Sequence, residues 1–153
     1  MPNSKNTTKD SPGMPEQSKP PVESTVESPV ESIPYAKMLG IRTTELSKER
    51  IVAELHIRPD LCTSGGIMHG GAIMSFADTL GAIGARLNLP PGSSRTTTTE
   101  SKTNFLSGAP AGTTVIGVAT PVKVGRRLSV WQTRICTQDD KLIALITQTQ
   151  MVL

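Results

Sequence analysis

Between Gly70 and Leu87 the apolar residues recur with a single period. Ile73, Phe76, Ala77, Leu80, Ile83, Gly84 and Leu87 follow i, i+3, i+4, i+7 spacing, the mark of a helix with one buried face. The spacing predicts a helix over about 70–88, stopped ahead of Pro90-Pro91-Gly92. Around the axis, Asp78 points roughly 160° away from the centre of the apolar stripe. Its neighbours are Gly71, Ser75, Ala82 and Ala85, with Met74 and Gly81 at the margin. A solvated face would normally carry Lys and Glu. This one is small, with one carboxylate in its middle, and is read as a face against a partner subunit or a substrate tunnel.

The rest of the chain supplies strands for that helix to pack on. Residues 35–40 suggest a short helical turn ending at Gly40. Ile51, Ala53, Leu55 and Ile57 alternate with polar residues between Arg50 and Arg58, a half-buried strand that Pro59 ends. A loop with Gly65-Gly66 leads into the helix. Thr96 to Leu106 is Thr-rich and extended, a second strand. Residues 113–124 make a third, with Pro121 marking a bulge or an edge. Gly125-Arg126 is a turn, 127–137 a fourth strand, 138–141 a hairpin loop and 142–152 a fifth. One long helix among hairpin-linked strands predicts an α+β layer fold, an antiparallel sheet of five to six strands wrapped around the helix.

Residues 1–33 are rich in Pro, Ser, Thr, Lys and Glu, and Val-Glu-Ser recurs at 22–24, 26–28 and 30–32. Pro20, Pro21, Pro29 and Pro34 argue against a helix there. Such a segment buries too little apolar surface to offset its ordering entropy, so 1–33 is expected to be a disordered tail and 34–153 a single domain.

Charge and composition narrow the function classes. Residues 1–32 hold three Lys against five acidic groups, −2; the remainder holds thirteen Lys and Arg against eight, +5. A modest positive excess on the folded part suits an anionic ligand. With four aromatics and no long basic run, a stacking platform for nucleic acid is not expected. No stretch approaches the roughly 18 apolar residues of a membrane span, and the N-terminus has no apolar signal core. A cytoplasmic protein without a membrane partner is the expectation. Cys62 and Cys136 lie far apart and give no disulfide framework. Two histidines, His56 and His69, make a metal site improbable. Scarce aromatics and the small-residue helix face favour an oligomer that shares a sheet edge or a helix.

Candidate chemistry gathers at the helix. Asp78 is either an exposed helix carboxylate or a reactive one, and nothing cationic at 74, 75, 81 or 82 balances it. At the helix start, Gly70 leaves a backbone N–H without an intrahelical partner, suited to a carbonyl oxygen gaining negative charge; the other reading is a flexible helix entry. Asp78 is eight residues on, about 12 Å along the axis. The two groups would not easily serve one carbon within one isolated chain. Paired helices in a symmetric dimer would bring one chain's Gly70 to the other's Asp78. His69 is a structural hydrogen-bonder or an orienting group. Cys62 has no activating histidine at suitable spacing.

Several motifs in order then carry a resemblance: His69-Gly70-Gly71, Asp78 nine residues after the histidine, Glu100-Ser101-Lys102-Thr103-Asn104-Phe105-Leu106, and Gly125-Arg126-Arg127-Leu128. Over roughly 36–153 the chain resembles the hotdog-fold acyl-CoA thioesterases of the phenylacetate-pathway, 4-hydroxybenzoyl-CoA thioesterase-like type. The resemblance implies a hotdog fold and hydrolysis of an acyl-CoA or aryl-acyl-CoA thioester. Asp78 would act as nucleophile or general base and Gly70 as oxyanion donor. No cofactor is implied, coenzyme A being part of the substrate. The assembly implied is a homo-oligomer, a dimer or a homotetramer built as a dimer of dimers. Where such relatives carry Asn or Gln six residues before the histidine, this sequence has Thr63, whose hydroxyl reaches less far than an amide. Thr98 falls near a Ser or Thr that relatives turn to the reactive centre; ordinary β-propensity also accounts for it. Arg126 and Arg127 are either a solvated hairpin tip or contacts to the phosphates of coenzyme A. Asn104 pairs across the sheet or lines the pantetheine channel. Two rivals are a module that binds acyl-CoA without turnover, favoured by Thr63, and a hydratase, disfavoured because His69 precedes Asp78.

Overall fold

The computed structural model describes Val30 and residues 32–153. In chain order these are α1 (Pro34–Leu39), β1 (Ile41–Leu46), β2 (Ile51–His56), a 3-10 turn (Pro59–Leu61), α2 (Gly70–Leu87), β3 (Thr96–Phe105), β4 (Thr114–Val124), β5 (Leu128–Thr137) and β6 (Leu142–Val152). The six strands form one antiparallel sheet in the order β1-β2-β4-β5-β6-β3. Helix α2 lies against it and meets β2, β3, β4, β5 and β6. This is the hotdog arrangement, an α+β fold in which one long helix fills a sheet.

The helix stripe is buried as its period requires: Ile73, Phe76, Ala77, Leu80, Ile83 and Gly84 all face inward. Opposite them, alternate residues of β2 (Ile51, Ala53, Leu55), β4 (Val115, Ala119) and β5 (Trp131, Ile135) close the core. Three glycines set the spacing. A Cβ on Gly84 would sit 2.5 Å from Trp131 Cζ3, and one on Gly117 would sit 2.7 Å from Leu80 Cδ1 and 2.8 Å from Phe76 Cζ. A Cβ on Gly81 would run into the Gln148 side-chain amide. The largest side chains of the core therefore lie directly over backbone that has no Cβ to push them off.

Several expectations need correction. Strand β1 is an element that the hydrophobic pattern does not announce, because only Ile41 of its six residues is buried. The small face of the helix is not turned wholly to a partner or a tunnel. Gly81 is buried against Gln148 of the chain's own sheet and Ala85 is buried as well, so the buried arc extends sideways as far as Asp78. The expected tail lies mostly outside the described residues, but its end does not. Val30 is fully buried in the core and Ile33 packs on it, so the domain begins before residue 34. Pro121 sits beside a shift in the β4–β5 register, between Pro121 and Lys123, as its lack of an N–H requires.

Candidate active site

The loop into α2 is tightly held. The Cys62 and Met68 backbones bridge, the Met68 N–H donates to Ala109 O at 2.8 Å, and the His69 N–H donates to Leu61 O at 2.8 Å. Arg58 braces the same region from below, donating to Leu39 O at 2.7 Å and to Asp60. That guanidinium hydrogen-bonds the Asp60 carboxyl and holds it below the usual carboxylate range. His69 is the N-cap of the helix: its Nδ1 accepts from the Gly71 N–H at 2.9 Å. The cap leaves Nδ1 without a proton, so a neutral ring carries it on Nε2. The hydrogen-bonding role expected of His69 is thus a specific one. It takes up one orphan donor of the helix start and leaves its neighbour. Among the described residues no acceptor meets the Gly70 N–H, which sits at the positive end of an 18-residue helix. The Phe105 ring lies beside Gly70, 3.2 Å from where a Cβ would stand, and is itself half exposed.

Two turns on, Asp78 is half-buried at the border of the helix and strands β3 and β6. Its carboxylate is held on one side. Thr98 Oγ1 donates to Asp78 Oδ1 at 2.7 Å, and Gln148 Nε2 donates to the same oxygen at 3.2 Å. Behind Thr98, Gln150 Nε2 donates to Thr98 Oγ1 at 2.6 Å. Oδ2 has no partner among the described residues, and it is not among the buried atoms lacking one. One carboxylate oxygen is therefore tied down and the other is open.

The structure thus brings Asp78 and Thr98 into direct contact and separates both from Gly70. Thr98 and Phe105 mark opposite ends of β3, so the carboxylate and the bare amide lie toward opposite ends of the sheet. Arg126 and Arg127 are exposed in the turn between β4 and β5, at the Thr98 end: Ser129 pairs with Gln150, and Gln150 with Thr98. Asn104 is exposed on β3 next to the inward-facing Phe105, which by alternation places it on the sheet's outer face, apart from Asp78. Thr63 lies at the far side of the loop before α2. Its backbone bonds Ile67 and Gly66, and its hydroxyl has no partner among the described residues.

Gln148 and Gln150 escape a reading of the sequence. Both are buried at 1% exposure on the inner face of β6, in line with Ala144 and Ile146. The only available signal was parity: continuing the inward alternation of β6 from Ala144 and Ile146 leads to both glutamines.

The unclaimed amide and the strand-held carboxylate thus sit on the one long helix of a hotdog sheet. The chain belongs to the Thioesterase superfamily, whose model matches residues 65–144, and it is a thioesterase. It is similar to 1,4-dihydroxy-2-naphthoyl-CoA thioesterase 2 of Arabidopsis thaliana, 29% identical over 99 residues, 65% of this chain and 62% of that one. It is similar in structure to thioesterase HI1161 of Haemophilus influenzae, with TM-score 0.74 and 28% identity over 80% of this chain and 85% of that one. The PaaI protein of the E. coli phenylacetic acid degradation operon shares the fold, with TM-score 0.74 and 23% identity over 80% and 86% of the two chains.

Proposed function

We propose that this thioesterase hydrolyses an acyl-CoA or aryl-acyl-CoA to the free acid and coenzyme A, at sites shared between two copies of the chain. The observation that carries the reading is the carboxylate of Asp78, fixed through Oδ1 with Oδ2 open. Oδ2 either adds to the thioester carbon, forming an anhydride that water then opens, or takes a proton from water as hydroxide adds to that carbon. In both routes the carbonyl oxygen gains negative charge, the C–S bond breaks, and coenzyme A departs as a thiolate that takes up a proton. The Gly70 N–H of a second copy is the donor for that oxygen. Its distance of about 12 Å from Asp78 along one helix axis supports sharing.

Support for the pairing comes from β3. It is ten residues long and lies at the end of the sheet, so among the described residues one side of its backbone ladder is open. A dimer that pairs β3 with its copy would set two α2 helices side by side. Arg126 and Arg127, exposed at the Asp78 end of the sheet, would contact the phosphates of the substrate's nucleotide. Coenzyme A enters as part of the substrate and no further cofactor is needed.

Release of free thiol from a panel of acyl-CoAs, wild type against Asp78→Asn, tests the reading. A loss of at least about a hundredfold in kcat is expected for removal of the reacting group. Equal rates would remove Asp78 from the chemistry.

A further inference from the structure

The geometry points to Gln150 as a positioning residue that selects which Asp78 oxygen reacts, by setting the direction of the Thr98 proton; this rests on the proposed role of Asp78. A threonine hydroxyl has one proton and can point it several ways. In this site Gln150 Nε2 approaches Thr98 Oγ1 at 2.6 Å. An amide nitrogen only donates, so it occupies a lone pair of Oγ1 and turns the hydroxyl proton elsewhere. Asp78 Oδ1, at 2.7 Å, is the acceptor that receives it.

The amide of Gln150 is itself oriented. Its Oε1 lies 3.3 Å from the Thr96 hydroxyl, which shares its proton with Met151 O at 3.0 Å. Reversing the amide would set two acceptors against each other at Thr98 once that hydroxyl is committed to Asp78. Donation therefore runs in one direction, from Gln150 through Thr98 to Oδ1. Gln148 holds the same oxygen from the other side. Its Nε2 meets both Asp78 Oδ1 at 3.2 Å and Asp78 O at 3.4 Å, while its Oε1 is buried without a donor. An amide that leaves its own oxygen unsatisfied in order to face two acceptors is held by what it donates to. The absent Cβ of Gly81 makes room for it. With Oδ1 engaged twice, the lone pairs free for attack or for a water proton are those of Oδ2.

Because Gln150 acts through Thr98, the test is a double-mutant cycle. Steady-state kcat and KM are measured for Gln150→Met, Thr98→Val, the double variant and Asp78→Asn, on the acyl-CoA that wild type turns over fastest. Gln150→Met should lower kcat about tenfold, the scale of one lost hydrogen bond, with KM within about twofold. In the Thr98→Val background it should cost nothing further, since the hydroxyl it steers is gone. A Gln150→Met enzyme at wild-type kcat, or losses that multiply in the double variant, overturns the assignment. If Gln150→Met does not fold, Gln150→Glu keeps the size and turns the donor into an acceptor. It should lose kcat as well, and full activity would overturn the assignment in the same way. Asp78→Asn separates the levels. If it is inactive while Gln150→Met is fully active, only the role of Gln150 falls. If Asp78→Asn is fully active, the reading of the site falls and this role with it.

Discussion

Gly70 can lose its N–H without losing its place in the fold. It is the first residue of α2, and His69 before it has φ −67° and ψ 141°. Proline is at home at the first helical position, and an extended residue is what should precede it. A Cβ at this position meets the Phe105 ring at 3.2 Å, which has to give by a few tenths of an ångström. Because Phe105 is half exposed, it has room to do so. Gly70→Pro should therefore fold, by circular dichroism, and lose about a hundredfold or more in kcat, as removal of one oxyanion donor does. Gly70→Ala keeps the N–H and should stay within about tenfold of wild type, so the pair separates the amide from the side chain. At this scale the sequence was readable where a residue's chemistry was unusual for its surroundings. Asp78 stood out against glycine, alanine and serine neighbours. Gln148 and Gln150 did not, because Thr147-Gln148-Thr149-Gln150 is polar throughout, and a period of two has no contrast in such a run. Counting alternate positions on from Ala144 and Ile146 turns both inward, but only tertiary contact shows Gln148 on the carboxylate and Gln150 on Thr98.

Among the elements, α2 was the most legible and β1 the least, for one physical reason. Helix α2 buries a whole stripe, so its period is written in seven apolar residues. Strand β1 buries Ile41 alone and sits at the edge, with Arg42, Thr44, Glu45 and Leu46 exposed. Its pairing with β2 comes from the backbone, which sequence pattern does not record. The width of the buried helix face was misjudged in the same way. Gly81 looks like a residue left small for a partner, yet a Cβ there would run into Gln148 of the chain's own β6. Gly84 makes this measurable. A Cβ there meets the Trp131 ring at 2.5 Å, and the ring is fully buried. Gly84→Ala gains helix propensity, but overpacking should win, with a net loss of about 1–3 kcal/mol in denaturant unfolding. An unchanged or higher midpoint would mean that the helix does not sit this close to β5. At the other end of β5, burial pushes the Cys136 thiol up, which lowers its thiolate fraction near neutrality. Iodoacetamide at pH 7.5 should leave Cys136 unmodified in the folded protein and label it after unfolding, as peptide mass mapping would record.

Among the described residues the sheet ends on two edge strands, β1 and β3, and the helix holds Asp78 and Gly70 far apart. Within one chain, Asp78 with its strand donors and Gly70 with its bare amide belong to the same helix, about 12 Å apart along its axis, and the proposed function assigns them to sites shared between two chains. In that proposal the second copy pairs along β3, whose outer edge is unpaired among the described residues and which has Phe105 and Leu106 half exposed at one end. Subunit mixing tests this sharing most directly. Asp78→Asn chains and Gly70→Pro chains, each inactive alone, are co-expressed with different tags, and dimers carrying both tags are isolated. In a symmetric dimer one of the two sites then receives an intact Asp78 and an intact Gly70, so about half of wild-type kcat per dimer should return. Mixed dimers as inactive as their parents would contradict the account, because Asp78 and Gly70 would then have to act from within the same chain.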